Sequence, residues 1–182
     1  MKTDLLPELL QRDVLNLGCG RKHLPGAVNL DVTDTTSPDI VHDLNERPWP
    51  FPDNHFREVH AYDVIEHLED IVGTMEELHR ICRAGAIVRI TVPHFSCCNS
   101  FTDPTHRHLF SSGSFNYFSH DSELNFYTAA RFRVLSNHIF FYPGLLNKLV
   151  WRLANRYSQA YERRWAWIFP AWFLQFHLEV LK

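Results

Sequence analysis

The sequence predicts an α/β domain built on a mostly parallel sheet with an antiparallel C-terminal strand, and three observations carry that reading. Between residues 14 and 92, short apolar runs alternate with links, a loop and one amphipathic helix, the order of a layered α/β fold. The first run, Val14–Leu17, stops at two glycines flanking one small residue, Gly18-Cys19-Gly20, and the second closes on a carboxylate, Asp31. Two such strand ends side by side shape a nucleoside pocket. At the far end, Leu174, Phe176, Leu178 and Val180 alternate with Gln175, His177 and Glu179, the two-residue period of a strand with one buried face.

Taken in order, Leu5, Leu6, Leu9 and Leu10 fall at helical spacing and predict a short amphipathic helix over residues 5–10. The first strand covers residues 14–17 and the second 27–32. Only about ten residues separate them, whereas a parallel crossover ordinarily takes a dozen or more with a helix. The first crossover is therefore abbreviated to one turn and the Pro25-Gly26 corner. A third short strand over 40–42 leads into residues 46–53, where three prolines forbid a regular helix or a central strand and predict a rigid loop. A fourth strand over 58–62 precedes a helix marked by Ile71, Met75, Leu78 and Ile81, with acids near its start, Arg80 and Arg83 near its end, and Gly85 as its stop. Residues 86–92 are the fifth strand, ended by Pro93, and residues 132–141 the sixth, paired antiparallel with the last one. Residues 94–127 are polar and aromatic without a steady period, which suits a functional loop region past the carboxyl end of the fifth strand.

Composition bounds the function. At 182 residues, 45% of them apolar, the chain builds one core and is read as a single domain over 1–182, with a helical insertion at 142–172. A net charge of -3 without a basic field argues against nucleic acid as a partner. The first residues lack the long apolar core of a signal peptide or a spanning helix, so a cytoplasmic protein is expected. Cys19, Cys82, Cys97 and Cys98 show no framework spacing and are expected as free thiols. No metal is expected either, because there is no CxxC pair and His94, His106 and His108 fit no ligand spacing.

The glycine pair lets backbone pass close to a ligand that a Cβ would push away, and the acid on the neighbouring strand can accept both ribose hydroxyls. Gly20 is followed by Arg21, Lys22 and His23 rather than a third glycine, and no Walker-type Gly-Lys-Ser/Thr occurs. A nucleoside without phosphates fits better than a dinucleotide.

Asn16-Leu17-Gly18-Cys19-Gly20, Asp31, Asp43, Pro50-Phe51-Pro52-Asp53-Asn54-His55-Phe56, Glu66-His67-Leu68 and Arg80-Ile81-Cys82-Arg83-Ala84-Gly85 follow one another in an order that resembles the motif series of class I S-adenosylmethionine-dependent methyltransferases. The likeness is nearest to a compact subgroup in which a Leu-Pro-Gly corner, here Leu24-Pro25-Gly26, replaces the usual first helix. It covers residues 13–93 well and the last strand loosely. It implies a Rossmann-like sheet, S-adenosylmethionine as cofactor, and methyl transfer. Carried over residue by residue, it sets Gly18, Cys19 and Gly20 against the methionine part, together with Asn16, which stands where the family usually has an acid. It gives Asp31 with Val32 to the ribose, Asp43 and Leu44 to the adenine, and Asp63 and Val64 to the floor beside the sulfonium.

Methyl transfer from a sulfonium is an in-line displacement that needs proximity and alignment, and a base only where the acceptor carries a proton. The candidate bases are His67 and His106, with His94, Asp103 and His108 on the substrate side. Asp103-Pro104-Thr105-His106 resembles a segment after the fifth strand in the same subgroup; read alone, it is a turn, and Glu66-His67 read alone is a surface pair at a helix start. The chain lacks an Asn-Pro-Pro-Tyr-like element after the fourth strand, which argues against nucleobase or Gln amino groups as acceptors. The insertion mixes Trp151, Tyr157, Trp165, Trp167 and Trp172 with Lys148, Arg152, Arg156, Arg163 and Arg164. Such a mixture suits a packed helical cover, a lid over an apolar substrate, or a peripheral helix on an anionic membrane. A small-molecule, sugar or lipid-linked acceptor is expected, and the rival reading is a non-catalytic nucleoside-binding or scaffold protein. The oligomeric state is not legible.

Overall fold

The computed structural model describes residues 7–123 and 125–182. Seven strands form one sheet: β1 (Val14–Leu17), β2 (Val28–Asp31), β3 (Ile40–Val41), β4 (Phe56–Tyr62), β5 (Cys82–Pro93), β6 (Arg131–Ile139) and β7 (Phe173–Leu181). Their order across the sheet is β3-β2-β1-β4-β5-β7-β6. Every neighbouring pair from β3 to β5 is parallel, and β7 runs antiparallel to both β5 and β6. This is the expected mostly parallel α/β sheet with one antiparallel strand. Among the described residues, four α-helices accompany it: α1 (Ile71–Ile81), α2 (Asn99–Thr102), α3 (Leu145–Arg156) and α4 (Ser158–Arg164). Of the predicted N-terminal helix, Leu5 and Leu6 lie outside the described residues, and Leu9–Gln11 form a single 3-10 turn.

No helix joins β1 to β2, and polar side chains do the work a helix would do. Asn16 and Asn29 are register partners on adjacent parallel strands, so their side chains share one face, and both are buried. The Asn29 carboxamide oxygen accepts from the Asn16 Nδ2 at 2.9 Å and from the Leu24 N–H at 2.8 Å. Its Nδ2 donates to the carbonyls of Leu24 and Ala27 and to Asp39 Oδ2. Asp39 Oδ2 also accepts from the Asn29 N–H and from Arg12. Burial alone would raise the Asp39 carboxyl, but the Asn29 bonds and the Arg12 charge hold it below the usual range. The Leu24-Pro25-Gly26 corner is thus bolted to the sheet through both its backbone polar groups.

The proline-rich loop is fixed in the same way. Trp49 is buried, its N–H donates to Glu77 at 2.7 Å and its indole N–H to the Leu44 carbonyl, while Arg80 holds the Trp49 and Phe51 carbonyls and Glu77 together. Asp70 caps α1 by accepting from the Gly73 N–H. The predicted stop at Gly85 is corrected: α1 ends at Ile81 and the chain enters β5 at once. Gly85, at φ +75°, instead lies where the β4–β5 register jumps from Phe56↔Cys82 to Glu58↔Ile87, a looped-out stretch that needs the left-handed region.

The insertion is helical, but its apolar stripe faces outward. Leu145 is 89% exposed and Leu149 58%, Leu146 and Leu153 are also exposed, and on α3 only Ala154 is buried. Docking uses polar groups: Asn155 bridges the N–H and carbonyl of Ile139, and Glu162 accepts from the Ser112 N–H at 2.6 Å. Among the described residues no helix is long and apolar enough to cross a membrane.

Replacing Asn29 by Ala strands several buried donors and acceptors at once. Unfolding free energy in a urea titration is expected to fall by about 3 kcal/mol, and a loss under about 0.5 kcal/mol would show that the corner holds without it.

Candidate active site at the strand ends

A cavity of about 1170 Å³ opens beyond the carboxyl ends of β1, β4 and β5, where parallel α/β sheets bind ligands. One wall is the glycine loop after β1. Gly18 and Gly20 have φ of +56° and +49°, the left-handed region. A methyl group at Gly18 would overlap the Val64 side chain, whereas one at Gly20 would meet nothing within 4 Å. Gly18 is therefore required by packing against the β4 loop, and Gly20 leaves open space on the cavity wall. Asn16, Cys19, Arg21 and Lys22 also line this side. The Cys19 thiol is pushed up by burial and by the Asp31 charge, so it stays protonated.

Asp31 ties this loop to β2. Its Oδ2 accepts from the Gly20 N–H at 2.8 Å and its Oδ1 from the Thr33 N–H at 3.2 Å. Two of its roughly four lone-pair sites remain for a ligand hydroxyl, although the side chain is not on the cavity wall. Of the other cofactor-side residues read from the sequence, Asn16, Gly18, Cys19, Gly20 and Asp63 line the cavity; Val32, Asp43, Leu44 and Val64 do not. Val32 is exposed, Leu44 is buried in the core, and Asp43 accepts from the N–H and side chain of Asn45 in a turn. Val64 packs behind Gly18.

The second wall follows β4. Asp63 has φ +55°, a conformation that costs a non-glycine residue energy and persists only when its surroundings enforce it. Its Oδ1 accepts from the Thr91 hydroxyl and its N–H donates to the Thr91 carbonyl. A single 3-10 turn, Ile65–His67, then aims Glu66 and His67 into the cavity. Glu66 is 1% exposed and neither carboxyl oxygen has a hydrogen-bond partner. Burial first, then the negative charges of Asp63 and Asp103, push its pKa to about 8. Glu66 is therefore not the surface residue that the pair read alone suggests, and it lines the cavity although it is absent from the sequence-derived set. The signal lay in the Asp63-to-Glu66 spacing of three, which one turn brings to the same side.

The third wall is the 97–106 segment. His67 Nδ1 lies 2.8 Å from the Thr105 hydroxyl, which donates to Asp103 Oδ1 at 2.6 Å. The His67 and His106 rings meet edge to face with centroids 4.7 Å apart. His67, Asp103 and His106 all line the cavity, and two other histidines are elsewhere. His94 is fully buried; the Ser96 N–H donates to its Nδ1, and its Nε2 faces Glu162 Oε1 at a long 3.4 Å. It fastens α4 to the end of β5. His108 bonds the Leu68 carbonyl through Nε2. Trp172, Phe173 and Gln175, at the start of β7, complete an aromatic side of the cavity. All four cysteines are free.

Residues 25–90 match the family model described as a methyltransferase domain. The fold is similar to a SAM-dependent methyltransferase from Archaeoglobus fulgidus, at 16% identity and a TM-score of 0.63 over 92% of this chain and 86% of that one. The fold is one shared with S-adenosylmethionine-dependent methyltransferases. A methyltransferase from Mesorhizobium loti aligns at 13% identity and a TM-score of 0.59, over 96% and 94% of the two chains. Phosphoethanolamine N-methyltransferase 2 from Haemonchus contortus, in complex with S-adenosyl-L-methionine, aligns at 13% identity and 0.55, over 96% of this chain and 51% of that one. At these identities the likeness is one of fold. No curated protein matches the chain. S-adenosyl-L-methionine is bound in the Haemonchus contortus structure, and the open space at Gly20, the free acceptor capacity of Asp31 and the size of the cavity here fit a nucleoside cofactor of that kind.

Gly18→Ala combines left-handed strain with the Val64 overlap and is expected to cost about 3 kcal/mol of stability, against about 1 kcal/mol for Gly20→Ala, which carries the strain alone. Paired denaturation curves check the difference, and equal losses would show that Val64 gives way.

Proposed function

We propose that this methyltransferase acts on a hydroxyl group of an amphipathic, lipid-linked acceptor at an anionic membrane surface, with Gly18, Gly20 and Asp31 on the cofactor side and Glu66, His67, Asp103 and His106 on the acceptor side. The observation that carries the reading is the outward apolar face of α3 and α4. Besides the α3 leucines, Trp151, Tyr157, Trp165, Trp167 and Ile168 are exposed, Trp167 to 69%. Lys148, Arg152, Arg156, Arg163 and Arg164 are exposed beside them, and among the described residues none is paired with a carboxylate. Exposed leucines and indoles fringed by unpaired cations suit the headgroup region of an anionic bilayer. An exposed apolar face of this kind marks an interaction site rather than an ordinary surface.

The face also leads toward the chemistry. Tyr142 stacks on Trp172 with centroids 4.7 Å apart; Trp172 lines the main cavity, and Tyr142 lines a smaller 310 Å³ pocket shared with Lys148, Trp151 and Arg152. An acyl or prenyl chain resting along the insertion would present its polar head to the cavity.

S-adenosylmethionine, when bound, supplies a methyl group whose bond electrons remain on sulfur as the acceptor oxygen takes the carbon. The protein's share is alignment and handling of one proton. Asp31 and the glycine loop hold the nucleoside end, Asp63 forms the floor, and the walls around Trp172 exclude water. His67 and His106 are the cavity-lining groups placed to take the hydroxyl proton and pass it to water. The lack of an Asn-Pro-Pro-Tyr-like segment fits a hydroxyl better than an amide or nucleobase nitrogen.

Calorimetry with S-adenosylhomocysteine is expected to show one site per chain, lost in Asp31→Ala and retained in His106→Ala, which instead lowers the methyl-transfer rate at least tenfold. Equal loss of affinity in both variants would refute the division into two sides. Sedimentation with phosphatidylglycerol vesicles is expected to pull down the protein, and Leu145→Ser with Leu149→Ser to release it; indifference to vesicle charge would remove the membrane from the reading.

A further inference from the structure

We infer that Glu66, His67 and His106 form a binding site for a divalent transition-metal ion on the acceptor side of the cavity. One ligand atom from each of the three lies within 4.8 Å of the other two. In a four-coordinate site with bonds of about 2.0 Å, donors stand about 3.3 Å apart, so the side chains need to close by no more than about 1.5 Å. His67 and His106 are only half-buried at the cavity mouth, where rotation is open to them.

The independent observation is Glu66 itself. A carboxyl group that is 99% out of solvent and has no partner on either oxygen is costly, and buried polar groups are almost always satisfied. Among the described residues no lysine or arginine is paired with it, and the charges that act on it are those of the carboxylates Asp63 and Asp103. Three acids and two imidazoles converge with no cation among them, and a bound metal ion supplies the missing positive charge and both missing contacts.

The hydrogen bonds of His67 prepare it as a ligand. Thr105 has one hydroxyl proton and gives it to Asp103. The bond between Thr105 and His67 Nδ1 must then run from the imidazole, so Nδ1 carries the proton and Nε2 keeps its lone pair. An imidazole that donates its far nitrogen to an acceptor, itself anchored on a carboxylate, is the outer-shell arrangement that orients metal-bound histidines. Two nitrogen donors and one oxygen donor favour Zn2+ or Fe2+ over Mg2+ or Ca2+, which prefer oxygen ligands throughout. Three protein ligands leave a position for water or for an acceptor oxygen.

The role of the ion rests on the proposed methyl transfer. A hydroxyl on the open position is acidified by the metal, its proton leaves to solvent, and the oxygen lone pair then takes the methyl carbon. In the ion-bound form the two imidazoles are ligands, and acidification by the ion takes the place of their part as bases.

The test uses chelator-stripped full-length protein titrated with Zn2+, with metal content read by elemental analysis and coordination read from the visible spectrum of the Co2+ form. One ion per chain is expected, with affinity falling at least a hundredfold in Glu66→Gln and in His106→Ala. Thr105→Val is expected to weaken binding about tenfold, and His108→Ala, off the cavity, to leave it unchanged. Binding that survives both Glu66→Gln and His106→Ala, or fails in the unmodified protein, overturns the site. Thermal melts of each variant separate loss of the ion from loss of the fold. S-adenosylhomocysteine calorimetry on the metal-free protein keeps the two readings apart: cofactor binding without ion binding sinks the metal site, and ion binding without cofactor binding sinks the methyl-transfer reading.

Discussion

The hydrogen bonds of one buried carboxamide, Asn29, hold together the part of the molecule on which everything else stands. A βαβ unit normally covers its strands with an apolar helix, and a helix also fixes the loop that precedes it. Here the link from Gly18 to Ala27 has no room for one, so the face of β1 and β2 that a helix would cover is polar, and its polarity is fully used among Asn16, Leu24, Ala27 and Asp39. A carboxamide offers two donors and two acceptors in one plane, enough to clamp a tight corner that apolar packing would leave free to slide. Asn16 is explained by the same economy. Its Nδ2 is spent on Asn29 and on the Lys22 carbonyl, so it shapes the glycine loop from below.

Fixing the loop this way sets the character of the cavity. The β1 side carries backbone and small groups, while the side facing it gathers Asp63, Glu66, Asp103 and two imidazoles within one turn and one short segment. Asp63 in the left-handed region and Glu66 without partners are both unfavourable taken alone, and both occur in the turn that follows β4. Energy stored at a ligand-facing edge and supported by a well-paired sheet is the usual distribution in a functional pocket.

The parts of the fold that read clearly from the sequence are those governed by short-range rules. The alternation along residues 174–180 and the apolar runs of β1 and β4 each placed an element within a residue or two of its observed bounds, and the 3.6-residue period placed the start and body of α1. Gly85 misled because a glycine after a helix can stop it or serve a bulge downstream, and only the β4–β5 register tells them apart. The aromatic and basic insertion left its setting open, since periodicity reports that one face of a helix is apolar and says nothing about what lies against it. At the site, residues at strand ends were legible and those depending on loop paths were not: His94 and His108 sit in the same segment as His106 but point into the core and along the backbone of Leu68. Glu66 was overlooked because a carboxylate beside a histidine looks solvent-facing until the single turn from Ile65 to His67 buries it.

The position of β7 carries a consequence for how the molecule is made. It follows β5 and β6 in sequence yet lies between them in the sheet, so the edges of β5 and β6 that it pairs stay open until residues 173–181 have left the ribosome. Until then two long edges stand open, one of them bordered by the leucines and indoles of the insertion, a condition that invites pairing with other chains. The aromatic wall of the cavity is laid down in the same final step, through Trp172, Phe173 and Gln175. Emergence of the insertion before β7 therefore exposes its leucines and indoles while the pocket beside them is still incomplete.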